Sequence, residues 1–331
     1  MSLQMSQRTT FHPSLGDLLE EDPLAQWKAY YSLLVSAVPG LGGNAECAFQ
    51  FVSPERTADW WDDPALAVDV IDTKPATGGA FYAAGSSAIS DNYSQFLNAL
   101  QTEDPNVKKA IDAYDKAADA NALTMSMSGN LAEDYKNWKN GQGNPLNVSM
   151  LKGTRTDNTW NLVAAGDIEV AGFILSGKGE ALDTTFVNDQ YKLTISYQAM
   201  KAYSMSRDRS WWKGGIITAY QKQNPDLFLA PYTPETFFQT SKGLLNMIPT
   251  SVVVGFRSTV ELTLSFENYT EYRLDLEGSG QISIGPFKLG ANVRYSKTET
   301  STVNRSTTIT YQSTNVNPIL VGIFSEIHAL S

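Results

Sequence analysis

From residue 252 to residue 311 apolar and polar side chains alternate, which predicts a run of amphipathic strands. Leu262, Leu264 and Phe266 stand against Glu261, Thr263, Ser265 and Glu267, and Tyr272, Leu274 and Leu276 against Glu271, Arg273, Asp275 and Glu277. A period of two puts one set on a packed face and the other in water. The same alternation runs over 191–200, where Tyr191, Leu193, Ile195 and Tyr197 are separated by Lys192, Thr194, Ser196 and Gln198. Residues 160–163 and 168–175 are further predicted strands. Gly278-Ser279-Gly280 has the composition of a hairpin turn.

The first 145 residues follow a longer period and are predicted to be mainly helical. Asp22-Pro23 opens a stripe of Leu24, Trp27, Tyr31, Leu34, Val35 and Val38, which Pro39-Gly40 stops. Ser90 precedes Tyr93, Phe96, Leu97 and Leu100 at helical spacing. Asp104-Pro105 opens the longest pattern, a helix over 107–138 that Gly129 bends or divides. Gly141-Gln142-Gly143-Asn144-Pro145 ends it and marks the expected boundary. The small-residue stretch 73–87 is predicted to be a loop or a close-packed crossing.

These patterns predict an α+β protein, with a helical N-terminal part (1–145) packed on an antiparallel β-sandwich (146–331). Two sheets are expected, since roughly eight strand-like runs cannot bury their apolar faces in one open layer.

Composition narrows the partners. The chain has 331 residues, 42% of them hydrophobic and 11% aromatic, so it can bury a sizeable core. A net charge of −10 argues against nucleic acid and against simple attraction to an anionic membrane surface. The single cysteine, Cys47, rules out an intrachain disulfide and, between Glu46 and Ala48, is expected to be a buried structural thiol. No basic segment followed by an apolar one opens the chain. The apolar stretches at 243–256 and 318–330 are shorter than the roughly 20 residues of a membrane helix. A soluble, cytoplasmic protein is the expectation.

No recognisable catalytic pattern is present. The two histidines, His12 and His328, lie near opposite ends in no motif, and are expected to be incidental. No Cys or His pair has zinc-ligand spacing, and Asp59, Asp62 and Asp63 lack a calcium-loop pattern and are read as helix-start and solvated residues. No cofactor is expected. Asp59, Asp62, Glu235 and Glu267 are the carboxylates that a glycosidase-like hydrolase with an aromatic cleft would draw on.

Two tryptophan pairs stand out, Trp60-Trp61 and Trp211-Trp212. Neighbouring side chains point apart in a strand and splay in a helix, so one member of each pair is expected in the core and the other at a contact surface. Arg207, Arg209 and Lys213 flank the second pair and put positive charge beside it in an acidic chain, with Arg209 or Lys213 placed for cation–π packing. The segment 296–314, rich in Ser and Thr, resembles the membrane-crossing hairpins of β-pore-forming toxins. It departs from them at Lys297, Glu299 and Arg305, and its apolar face holds only Val303, Ile309 and Tyr311.

The expected function is that of a non-catalytic binding or interaction protein, membrane-active after assembly at the furthest. Its contact residues would be Trp211, Trp212, Arg209, Lys213, Trp60 and Trp61, and its partner an unidentified ligand, another protein or a second copy of the chain.

Overall fold

A computed structural model describes residues 47–51, 72–78, 81–101, 103–150, 172–175, 191–222, 225–239, 242–265, 269–270, 273, 281–284, 287–290, 295–303 and 305–328. The expected helix after Asp22-Pro23, both members of Trp60-Trp61, and the expected strand at 160–163 lie outside these residues. Helices and a largely antiparallel sheet are both present, which makes this a mixed α+β protein.

Strands β1 (Cys47–Phe51), β2 (Thr73–Gly78) and β3 (Phe81–Ala88) come first. β2 and β3 stand where a loop or a close-packed crossing is expected at 73–87. β2 and β3 pair as a hairpin, while β1 pairs with strands from far along the chain. Small residues give no periodic signal, so their strand state comes from these partners.

Helix α1 (Ile89–Ala99) follows, and buries Tyr93, Phe96 and Leu97 on one face. Its first turn is anchored from outside, because the Ser90 N–H and hydroxyl both donate to the Asp72 carboxylate. Helix α2 (Pro105–Asp119) begins as predicted. Asp104 accepts a hydrogen bond from the Asn106 N–H at 2.8 Å, and Pro105 occupies the first helical position.

The predicted helix over 107–138 is not continuous. It is divided by the short strand β4 (Met125–Met127), and helix α3 (Leu131–Lys139) starts afresh at an Asn130 cap. Asn121 and Gly129 carry the positive φ angles of the two breaks, 49° and 83°. Pairing of β4 with residues 205–207 outweighs helix propensity here. In α3, Glu133 and Asp134 lie in the first turn and Lys136 and Lys139 in the last, so charge complements the helix dipole at both ends.

The remaining elements are β5 (Leu146–Met150), β6 (Gly172–Leu175), β7 (Tyr191–Arg207), helices α4 (Gly214–Tyr220) and α5 (Pro234–Phe238), and β8 (Met247–Ser265). Then come β9 (Gln281–Ile284), β10 (Phe287–Gly290), β11 (Tyr295–Val303), β12 (Ser306–Ser313) and β13 (Ile319–Ile327). Tyr269, Thr270 and Arg273 are helical, where alternation over 271–277 predicts a strand. Tyr269, Tyr272 and Leu276 also fit i, i+3, i+7, so the sequence signal was ambiguous there.

The two expected sheets are one hydrogen-bonded network among the described strands, ordered β2-β3-β6-β1-β13-β8-β12-β11-β10-β9, with β7 branching from β8. The reason is the length of β8. At 19 residues it carries β13 along 247–255 and β12 along 259–265 on one edge, and β7 on the other. Arg257, with a φ of 47°, sits where one partner gives way to the next. Beyond it Ser258, Val260, Leu262 and Leu264 are buried in strict alternation, as predicted. Before it Val252, Val253, Val254 and Phe256 are all buried, so both faces are covered.

Two cores result. Trp138 of α3 stacks on Phe256 at 6.1 Å and joins Ala199, Tyr203, Val254 and Ile323 on one sheet face. A second, helical core gathers α1, α2, α4 and α5 around Trp211, Phe96 and Phe237. Residues 139–145 after α3 are all exposed, with Gly141 at a φ of 77°. Limited proteolysis should therefore cut first within 139–145. A first cut inside α2 or β7 would count against the exposed connection.

Candidate functional site

The Trp211-Trp212 pair lies in a tight turn that ends β7. The Asp208 N–H donates to the Thr124 carbonyl at 3.0 Å, and the Asp208 carboxylate accepts from the Ser210 N–H at 2.7 Å. That hydrogen bond holds the Asp208 carboxyl below its ordinary pKa. The Asp208 carbonyl accepts from the N–H groups of both tryptophans. The turn sends the two indoles to different places.

Trp211 is 0% exposed. Its indole N–H donates to the Thr124 carbonyl at 3.1 Å, and its ring meets Tyr93, Tyr114 and Trp212 edge-on at 6.3, 6.1 and 5.6 Å. Trp212 is partly buried. It lies 4.3 Å from the Tyr93 ring on one side, and the Arg207 guanidinium stands 4.8 Å from its centroid. A Cβ at Gly214 would come within 3.0 Å of the Trp212 indole nitrogen, so this glycine leaves room for the ring.

Trp212 forms a wall of a cleft of about 550 Å³, within the range of small-molecule sites. Arg207, Arg209 and Lys213 line it together with Ile217 of α4, Pro249 of β8 and His328. The cleft opens where β7 ends, β8 begins and β13 ends. Pairing of Glu326 with Ile248 is what brings the last residues of the chain to this place. His328, expected to be incidental, is fixed there. Its N–H donates to the Asn246 carbonyl and its carbonyl accepts from the Gln221 side chain, both at 2.7 Å. Its ring nitrogen lies 3.6 Å from the Glu326 carboxylate, whose pKa it lowers.

The sequence shows Arg207 only as one of three charges flanking the tryptophan pair, and nothing there marks it as the buried one. It is the last residue of β7 and only 7% exposed. One terminal nitrogen donates to the Pro249 carbonyl at 3.0 Å, while its Nε and its other terminal nitrogen are buried without a hydrogen-bond partner. Burial lowers its pKa to about 10, and the nearby Asp72 charge works against that shift. Arg209 and Lys213 are exposed, and the Lys213 ammonium donates to the Arg209 carbonyl. The Lys213 N–H donates to the Tyr93 hydroxyl at 2.9 Å.

The other sequence candidates lie elsewhere. Glu235 is exposed on α5, its pKa lowered by the Thr233 hydroxyl, while Asp59, Asp62, Asp63, Glu267 and His12 fall outside the described residues. Cys47 lies in β1. Among the described residues no three His, Cys, Asp or Glu side chains are grouped to hold a metal, and no helix is long and apolar enough to cross a membrane. In the β11–β12 hairpin, β11 is exposed on both faces from Lys297 to Val303, while β12 buries Thr307, Ile309 and Tyr311. Comparison of the chain with protein-family models, curated proteins and solved structures finds no match, so the cleft must be understood from its own chemistry.

Proposed function

We propose that the protein acts by binding, without catalysis, and that the Trp212 cleft is its contact site. The observation that carries this reading is the position of one indole at the wall of a small-molecule-sized cleft while its neighbour anchors the core. An aromatic ring beside immobilised cations and apolar walls suits recognition, because it offers contact area at little entropic cost. A carboxylate-pair hydrolase is less well supported, since Glu326 is the one carboxylate among the described residues that line the cleft. The reading includes the finer architecture, a helical N-terminal region on a β-sandwich. Its support is the unbroken burial of β13 from Ile319 to Ser325, which needs cover on both faces.

The test is a ligand screen of sugars, nucleotides and small organic acids, read by thermal shift and tryptophan fluorescence. A ligand found in this way should lose about 2 kcal/mol of binding, or roughly 30-fold in Kd, in Trp212→Ala. Binding indifferent to this substitution, or no binding across the screen, would remove the cleft as the contact site.

A further inference from the structure

We infer that the cleft takes a small organic anion, a carboxylate or phosphate group carried on a flat apolar body, with Arg207 as the partner of the anionic group. This deepens the binding reading above and rests on it. The first observation is Arg207 itself. A guanidinium has five N–H donors in a planar fork that matches a carboxylate or phosphate. Here only one nitrogen is engaged, by the Pro249 carbonyl, while Nε and a terminal nitrogen stay buried and unpaired. Buried unsatisfied charge is costly and rare, so an arginine kept in this state asks for an explanation outside folding. The nearby carboxylate does not supply the missing partner. Asp72 accepts from the Ser90 N–H and hydroxyl, and no ion pair joins it to Arg207 among the described residues.

The second observation is the charge around the cleft. Arg207, Arg209 and Lys213 line the cleft with Glu326 as the one carboxylate among its described lining residues, in a chain whose net charge is −10. His328 lies 3.6 Å from that carboxylate and lowers its pKa, so Glu326 remains a single negative charge among three cations. Asp72 and Asp208 are the acidic groups beside it, and the Asp208 carboxylate is already held by the Ser210 N–H. Three cations against one carboxylate make the described lining of the cleft net positive, and Asp72 and Asp208 outside that lining bring the wider neighbourhood only to balance, in an otherwise acidic chain. The third observation is the wall. Trp212, Ile217, Ile248 and Pro249 give the cleft an apolar side on which a flat group can lie.

Phenyl phosphate and benzoate, with benzyl alcohol as the neutral analogue, test this by calorimetry and tryptophan fluorescence at constant ionic strength. Wild-type protein should bind at least one of the two anions more than about tenfold tighter than the alcohol, the worth of one charge-assisted hydrogen bond. Arg207→Met should abolish that preference. Its unfolding midpoint in urea should stay level or rise, because an unpaired buried charge is removed. Arg207→Lys should keep part of the preference. Equal binding of anion and alcohol, lost together in Trp212→Ala, would overturn the anion inference and leave the binding reading intact. Binding of none of the three probes would overturn the anion inference, and only an empty result in the wider screen would also remove the binding reading. A strong drop in the urea midpoint of Arg207→Met with the anion preference unchanged in Arg207→Lys would make Arg207 a structural residue and overturn the inference.

Discussion

Trp211→Ala should cost about 4 kcal/mol of folding stability, several times the cost of the same change at Trp212. The indole of Trp211 is 0% exposed and touches Tyr93 of α1, Tyr114 of α2 and Trp212. Its removal leaves a cavity where two helices meet the end of β7, and such sites relax only partly. It also removes one of the two hydrogen bonds that the Thr124 carbonyl accepts, leaving the one from the Asp208 N–H. Trp212 keeps one side open to the cleft, so truncating it loses less packing. Urea unfolding of the two variants decides the matter. Equal midpoints, or a loss below about 1 kcal/mol at Trp211, would mean that this ring is not the anchor of the helical core.

A second large effect is expected in alkali. Burial pushes the Tyr93 hydroxyl up to about 12, and the Lys213 N–H that donates to it opposes this only in part. Tyr203 is raised further by burial and by its hydrogen bond to Asp134, and Tyr311 by burial and the charge of Tyr269. In the unfolded chain all three titrate near pH 10. A group whose folded pKa lies above its unfolded value contributes stability that is whole below the unfolded pKa and lost as pH rises through the folded one. Each tyrosine should thus remove about 1.4 kcal/mol per pH unit above pH 10, or roughly 4 kcal/mol per unit for the three. Arg207, lowered by burial to about 10, pulls the other way but is one group against three. Urea midpoints between pH 8 and 12, followed with tyrosinate absorbance, should fall together above pH 10. Tyr203→Phe should flatten that slope by about a third. Tyrosinate appearing near pH 10 in protein that keeps its native near-ultraviolet dichroism would show these hydroxyls to be accessible.

Parts of this structure were legible in the chain because their signal is local. Asp104-Pro105 caps and starts α2 by chemistry confined to three residues. Leu262 and Leu264 face inward because a strand turns successive side chains to opposite sides. Other parts were not legible. The helix expected over 107–138, bent or divided at Gly129, is divided there by a strand, because Met125–Met127 pairs with residues about 80 positions away. The hairpin of β2 and β3 carries no period, since Ala, Gly and Ser bury too little to leave one. Of the candidate site, the tryptophan pair with Arg209 and Lys213 was visible as aromatic rings beside charge. Arg207 was visible as a third flanking charge but its burial was not, and Pro249 and His328 were not visible at all, because they come from the start of another strand and the far end of the chain.

The α+β class, the alternating faces of β7 and of β8 beyond Arg257, and the start of α2 were thus written in the chain alone. Each follows from backbone geometry repeated over a few residues. Only the tertiary structure decided that β8 serves β13 and β12 end to end, and that Trp211 is core while Trp212 walls a cleft. It alone left Arg207 with unpaired donors beside that cleft. Those outcomes depend on which distant segments arrive to share a strand edge or cover a ring, and no local pattern records them.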